Sequence, residues 1–155
     1  MKKKKTFNLI SALKLPIYSF FAAMIFLGVS CEEQKILENT KWKLECFGNV
    51  EIGEEKDVDP KDCTECYTLS FNADGKLFAH SFSNELSGLY SIDSKKFTIS
   101  LKDIIGTKIG EYFDGIKYTD ALNTVTSFSL EENKNLVLYY NNKKNYLQFT
   151  PYNQE

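Results

Sequence analysis

The chain has 155 residues, with 21 acidic residues against 19 lysines and no arginine, and its formal net charge is −2. A protein that binds nucleic acid needs a basic face to neutralise phosphates. This composition offers no such face, so no nucleic-acid partner is expected. The length suits a leader segment followed by one domain.

The N-terminal segment has the composition of a secretory signal. Residues 2–5 are four lysines, and Lys14 is the last charge before an apolar run over residues 15–29. A bilayer-spanning helix needs roughly 20 apolar residues, so this run is short for a span. The basic start, the short apolar stretch and the small residues at its end predict a signal peptide over residues 1–30, in preference to a buried N-terminal helix.

The end of the apolar run resembles the lipobox of bacterial lipoproteins, in which a cysteine is lipidated and becomes the first mature residue. The residues are Leu27-Gly28-Val29-Ser30-Cys31, and the match departs at Gly28, where a larger aliphatic is usual. The resemblance implies lipidation of Cys31 and a membrane anchor made of acyl chains. It also implies a location in the cell envelope of a Gram-negative bacterium, as an outer-membrane lipoprotein that faces the periplasm or the surface.

Residues 31–38 are then a polar tether. The acidic pair Glu32-Glu33 resembles a surface-export signal of some Gram-negative lineages, but it equally suits a solvated tether without a message. Without residues 1–30 the chain has 125 residues, 14 lysines and 21 acids, which is a formal charge of −7. We expect this part to be a monomer with one β domain over residues 39–152.

The first strand of this domain is predicted over residues 40–47, where Trp42, Leu44 and Cys46 share one face and belong to the core. The next stretch, residues 48–65, has no periodicity and carries seven acids and two lysines between Glu51 and Glu65. Carboxylates could bind calcium, but the spacing of a known calcium loop is missing. We therefore predict a solvated loop, with no metal and no cofactor.

The central part of the domain is a meander between residues 67 and 101. Its short alternating strands are joined by tight turns, of which Asp74-Gly75 is the clearest hairpin signal. The predicted strands of the meander cover residues 67–71, 77–82, 88–92 and 97–101. Residues 102–110 could be the end of a strand and a loop, and a helix is predicted over Tyr118–Val125. Two hairpins follow, with strands at 126–130, 136–140 and 145–150.

These elements predict a mainly β fold, a curved antiparallel sheet or partly closed barrel with one short covering helix. On the helix, Tyr118, Leu122 and Val125 form the apolar stripe, and Lys117, Asp120 and Asn123 take the other face. A helix of about three turns needs packing to persist. It is predicted to be a structural plug on the sheet, and the alternative is a mobile lid over a ligand cavity.

The order of these elements resembles the META domain, the family of the HslJ heat-shock lipoprotein, over residues 37–152. The resemblance rests on Asn39-Thr40-Lys41-Trp42, on residues 69–75, 84–90, 106–110, 118–125 and 128–130, and on the closing segments 136–138 and 147–149. It implies a curved sheet that closes toward a barrel, similar in topology to lipocalin-like barrels. It also implies a protein without an agreed enzymatic activity, linked to envelope stress and host interaction.

Cys63-Thr-Glu-Cys66 is the sharpest local motif. A redox pair needs a thiolate of lowered pKa, and the carboxylates of this loop favour the opposite. As a zinc site the motif lacks a second pair of ligands close in sequence, because Cys46 is the only other thiol after Cys31 and His80 is the only histidine. A structural disulfide is therefore predicted. The alternation of the flanking strands favours Cys46–Cys63, while Cys46–Cys66 and Cys63–Cys66 remain open.

No catalytic residue is predicted. His80 lies between Phe78 and Phe82, and the sequence lacks a nucleophile elbow and a phosphate-binding glycine loop. The domain is expected to be a non-enzymatic binding or interaction module. The alternatives are a lipocalin-like carrier or inhibitor with a small apolar ligand in its barrel, and an envelope hydrolase or redox protein. The identity of the ligand or the protein partner is open.

Overall fold

The computed structural model describes residues 36–132 and 134–152, so the predicted signal peptide, Cys31 and residues 31–35 of the tether lie outside the described residues. It contains nine strands and one helix. In chain order they are β1 (Thr40–Asn49), β2 (Glu54–Asp57), β3 (Thr68–Phe71), β4 (Lys76–His80), β5 (Glu85–Asp93), β6 (Thr98–Gly106), α1 (Gly115–Asn123), β7 (Val125–Leu130), β8 (Leu136–Tyr140) and β9 (Asn145–Pro151). Within the described ranges, no helix is long and apolar enough to cross a membrane.

The strands form one antiparallel sheet that closes on itself. The order is β2-β1-β3-β4-β5-β6-β7-β8-β9, and β1 also pairs with β9 along residues 42–49. β1 has two neighbours on its other edge, since β3 pairs with residues 40–43 and β2 with residues 46–49. The predicted mainly β fold is confirmed, and it is an eight-stranded closed barrel, to which β2 is added as a short flap.

The antiparallel register gives the barrel two distinct ends. One end, which we call the helix end, carries α1 and the connections over residues 50–67, 81–84, 107–124 and 141–144. The other, the entry end, receives the chain at residues 36–39 and carries the turns after β3, β5 and β7 and the exit at Tyr152. Strands of this length, tilted as in small barrels, separate the two ends by roughly 20 Å.

Side chains fill the interior, as expected for eight strands, which leave just enough room for them. The largest fully buried side chains come from all sides of the barrel: Tyr67, Tyr118, Phe71, Phe149, Leu37, Leu44, Leu69, Leu77, Leu122, Leu136, Leu138 and Leu147. The predicted core face of β1 is confirmed, because Trp42, Leu44 and Cys46 are buried. A register shift between Leu44 and Cys46 also buries Phe47, which strict alternation would expose.

The helix differs from its prediction in its bounds. It begins three residues earlier, at Gly115, and ends at Asn123. Tyr118, Leu122 and Val125 are all buried, as predicted, but Val125 is the first residue of β7 and not part of the helix. The helix ends because the N–H and hydroxyl of Thr124 both bond to the Ala121 carbonyl, which leaves the following residue free to pair with β8.

Two strands also differ from the prediction. β2 lies inside the acidic stretch that the sequence predicts to be irregular. All four of its side chains are exposed, so its sequence has no apolar alternation by which a strand could be recognised. β6 continues to Gly106, because it pairs with β5 along most of its length, whereas the sequence predicts a strand to Leu101 and places no boundary between strand end and loop in residues 102–110.

The favoured disulfide Cys46–Cys63 is wrong. The disulfide joins Cys63 to Cys66, with the two Cα atoms 5.5 Å apart, and Cys46 is a buried free thiol. The parity argument failed because β3 begins only at Thr68 and Tyr67 has a φ of 54°, so the alternation does not extend back to residue 63.

Candidate functional site

The residues singled out in the sequence do not converge on a catalytic centre in the described part of the chain. His80 lies on the outward face of β4 with Phe78, and its buried Nδ1 has no hydrogen-bond partner among the described residues. Several charged side chains of the acidic stretch make ion pairs, such as Lys56 with Asp114 and Lys61 with Asp57. No group of three metal-ligating side chains is found in residues 36–132 and 134–152.

The most unusual surface is apolar and lies at the helix end. Of the twelve large apolar side chains that are exposed in the described residues, seven belong to this end. Five of them occur in one stretch, and we call these five the apolar rim: Ile105, Ile109, Tyr112, Phe113 and Ile116, each 60–71% exposed. Exposed apolar side chains that are concentrated in one segment, rather than scattered singly, point to a surface that binds something.

Asn84 fixes the first half of the rim segment, which we define as residues 105–116. Its Oδ1 accepts hydrogen bonds from the Thr107 hydroxyl (2.8 Å) and the Ile109 N–H (2.9 Å), and its Nδ2 donates to the Ile109 carbonyl (2.9 Å). Asn84 itself is only 4% exposed, in the turn between β4 and β5. Its side-chain amide therefore pairs with the backbone of the rim segment as a neighbouring strand would.

Glu111 fixes the second half. Its carboxylate accepts hydrogen bonds from Asn84 Nδ2 (2.6 Å), from the Ser83 N–H (3.2 Å) and from the Ser81 hydroxyl. Gly115 makes room for this carboxylate, because a Cβ at that position would lie 2.0 Å from Glu111 Oε2. The side chain of Glu111 thus turns inward, and the apolar residues on either side of it turn out.

Asp114 ties the start of α1 to the acidic loop. Its carboxylate accepts a hydrogen bond from the Asp59 N–H (2.9 Å) and pairs with Lys56 Nζ at 3.0 Å. Just before it, Phe113 has a φ of 52°, a left-handed conformation that is costly for a bulky residue, and its ring packs edge-on against Phe82 with centroids 4.7 Å apart. The neighbouring anchors hold Phe113 in this strained and exposed position.

Two open clefts border the rim, one on each side of α1. The larger, about 620 Å³, lies between the helix and the end of β8, with Phe113, Ile116 and Tyr140 on its walls. The smaller, about 240 Å³, lies between the helix and β5–β6. Ile116 and Asp120 line both clefts, so together they form the ridge between them.

The charges along this ridge are arranged unevenly. Lys117 lies over the Phe47 ring, with its Nζ 3.8 Å from the ring centroid, and burial lowers the pKa of this ammonium. Asp120 is exposed, and no described side chain donates a hydrogen bond or forms an ion pair with its carboxylate. The ridge therefore combines an apolar surface with one carboxylate that no neighbour neutralises.

The sequence does not predict this surface, because its pattern indicates only a strand end and a loop over residues 102–110. The available signal was composition: five large apolar residues, Ile105, Ile109, Tyr112, Phe113 and Ile116, fall outside the apolar stripes predicted for the neighbouring strand and helix. Apolar residues outside any periodic pattern have no core face to occupy, and exposure is one consequence.

Comparison with known proteins gives a family and a fold. A family model described as "Domain of unknown function (DUF4847)" matches residues 23–151. No curated protein matches the chain. The chain is similar to the NMR structure of a protein from Burkholderia xenovorans, with a TM-score of 0.61, 18% identity, and 78% of this chain and 87% of that chain covered. It is also similar to the crystal structure of a DUF4847 family protein from Bacteroides vulgatus, with a TM-score of 0.59, 19% identity, and 79% and 99% covered.

These findings overturn the META assignment, since neither the family match nor the similar structures point to that family. The segments that suggested it are short strands and turns, such as residues 69–75, which end in a hairpin turn with Gly75 at a φ of 76°. Short segments of strand and turn of this kind recur in any antiparallel barrel. They predicted the architecture correctly and the family wrongly.

Proposed function

The chain belongs to the family described as a domain of unknown function (DUF4847), and we propose that it is a non-enzymatic binding module that works through the apolar rim. The observation that carries this proposal is the exposure of five large apolar side chains within residues 105–116. The partner is a polypeptide, because the rim and its two clefts offer an extended surface rather than an enclosed cavity.

The rim is prepared for binding by its polar anchors. Asn84 and Glu111 hold its backbone from below, and Asp114 holds it at the helix. A surface that is already ordered loses less conformational entropy when a partner covers it. The hydrogen bonds of these buried side chains thus favour presentation of the apolar residues over their collapse into the barrel.

The proposed lipid anchor fits this arrangement. The described chain enters the barrel at Leu37, at the entry end, whereas the rim lies at the opposite end. Cys31 lies five positions before Ile36, so the chain between them can span at most about 17 Å, which is less than the roughly 20 Å length of the barrel. An outer-membrane lipoprotein anchored at Cys31 would therefore direct its rim away from the membrane that holds it.

A lipocalin-like carrier is less well supported. A carrier needs a cavity inside the barrel, and the described interior is occupied by side chains such as Tyr67, Tyr118 and Phe149. The larger cleft lies outside the barrel wall, beside α1. A small ligand could contact that cleft, but it would leave most of the rim uncovered.

Site-specific photo-crosslinking tests the proposal. A photoreactive amino acid replaces Phe113 in the full chain, which is expressed in the bacterium that naturally produces it. After irradiation of whole cells, the proteins crosslinked to position 113 are identified by mass spectrometry. The matched control replaces Phe97, which is 57% exposed at the entry end. We expect a protein adduct from position 113 that Ile109→Ser and Ile116→Ser together reduce at least tenfold. Equal adducts from both positions, or none from position 113, would refute a binding role for the rim.

A further inference from the structure

Building on the proposed function, we propose that the partner presents a basic apolar segment, in which a lysine or arginine pairs with Asp120 while flanking apolar residues cover the rim. Asp120 lies on the ridge between the two clefts, so a segment that crosses the ridge passes directly over its carboxylate. Ile116, one helical turn earlier, is 60% exposed and gives the segment its apolar contact.

The surroundings of Asp120 leave its charge available. The nearest lysine on the helix, Lys117, points to Phe47, and Lys56 is paired with Asp114. No ion pair to Asp120 exists among the described residues. An apolar segment that covered this carboxylate without supplying a cation would bury an uncompensated charge, which is costly. The surface therefore discriminates against neutral and acidic segments as well as favouring basic ones.

The wider charge of the helix end points the same way. The loop over residues 50–67 belongs to this end, and its seven acids outnumber its two lysines. Exposed Glu54 and Glu55 line a further small cleft beside Lys117 and Tyr140, which are also walls of the larger cleft. Acidic residues beside an apolar surface attract a cationic partner and accelerate its encounter.

Peptide selection tests this inference without knowledge of the partner. The full chain in zwitterionic lipid nanodiscs is panned against a phage-displayed library of random peptides, 12 residues long, and empty nanodiscs remove lipid binders. We expect the selected peptides to be enriched in apolar residues and in lysine or arginine. For a selected peptide, Asp120→Asn should weaken the affinity about three- to tenfold, in the range of a partly covered charge pair.

The control is Glu132→Gln, which removes the same charge from an exposed residue at the entry end and should leave the affinity unchanged. Three outcomes separate this inference from the proposed function. If Ile116→Ser abolishes selection but the peptides carry no basic residue, the rim binds segments and the role of Asp120 is wrong. If Asp120→Asn and Glu132→Gln weaken binding equally, the total charge of the protein acts and the pairing is refuted. If the chain selects no peptide above the Ile116→Ser variant, the inference and the proposed function both fail.

Discussion

Truncation of Leu122 separates a structural helix from a mobile lid. Leu122 is fully buried on α1, a helix of nine residues that cannot persist in water without packing. One turn before it, Tyr118 is also fully buried and donates a hydrogen bond from its hydroxyl to the Thr68 carbonyl, 2.9 Å away. If these contacts close the helix end of the barrel, Leu122→Ala must lower the stability of the whole domain.

The magnitude follows from the loss of a buried leucine. Such truncations cost about 2–5 kcal/mol, through lost burial and the cavity left behind. For a domain of this size a loss of 1 kcal/mol lowers the melting temperature by roughly 3–4 °C. The expected decrease is therefore about 6–20 °C, measured by circular dichroism on purified protein. A total stability of about 5–15 kcal/mol would leave the variant folded but clearly weakened.

The matched control is Asn123→Ala, at the next position of the same helix but exposed to solvent. It should change the free energy of unfolding by less than about 0.5 kcal/mol. A lid over a ligand cavity would behave differently, because truncation at Leu122 would then alter binding and leave the melting temperature almost unchanged. An unchanged melting temperature would refute the prediction that α1 is a structural part of the barrel.

Three further predictions concern the anchors, the tyrosines and cysteines, and the lipid. Asn84→Ala should lower the free energy of unfolding by about 2–4 kcal/mol, at roughly 1 kcal/mol per lost hydrogen bond. It should also accelerate hydrogen exchange at the Ile109 amide, and unchanged exchange there would contradict the role of Asn84 in holding this backbone. Burial raises the pKa of Cys46 to about 11 and of Tyr67 to about 12, from ordinary values of 9.0 and 10.0. Because the folded state favours the protonated forms of both groups, their contribution to the free energy of unfolding is complete below about pH 9 and is lost as the pH rises toward 12. Urea unfolding should therefore give a lower free energy of unfolding at pH 11 than at pH 8. Mass spectrometry of membrane-bound protein should find a lipidated N-terminal Cys31, and a wild-type protein that is soluble and retains residues 1–30 would exclude the anchor.

Much of the barrel could be predicted because local patterns and tertiary structure agree in its strands. Trp42 and Leu44 alternate with charged residues, and the barrel buries them as the pattern predicts. Gly75 adopts the positive φ that the Asp74-Gly75 pair predicts for a hairpin turn. Closure itself was only partly predictable, since the pairing of β1 with β9 joins residues about 100 positions apart and leaves no local signal.

The candidate site was not predictable for the same reason. Asn84 and Glu111 are 27 residues apart in sequence, and only the end of β6 beside the β4–β5 turn brings their side chains together. Nothing near Asn84 indicates that its amide will hold the backbone of Ile109. The exposure of Ile105 likewise depends on pairing with another strand: β6 shifts its register against β5 at Asp103, which has a φ of 52°, so the inward alternation of Ile99 and Leu101 does not continue to Ile105.

The polar anchors and the apolar rim are best understood as one device. Exposed isoleucines and aromatics gain nothing from solvent, and a flexible loop would bury them against the nearest apolar surface. Here the four hydrogen bonds of the Asn84 side chain and the inward carboxylate of Glu111 fix the backbone of the rim segment. The apolar side chains on this backbone therefore cannot fold back onto the barrel. Phe113 is held exposed with a left-handed φ, a conformation that costs a bulky residue conformational free energy. Stability given up at a surface in this way is characteristic of binding sites, and it is the reason to seek the function at the helix end rather than inside the barrel.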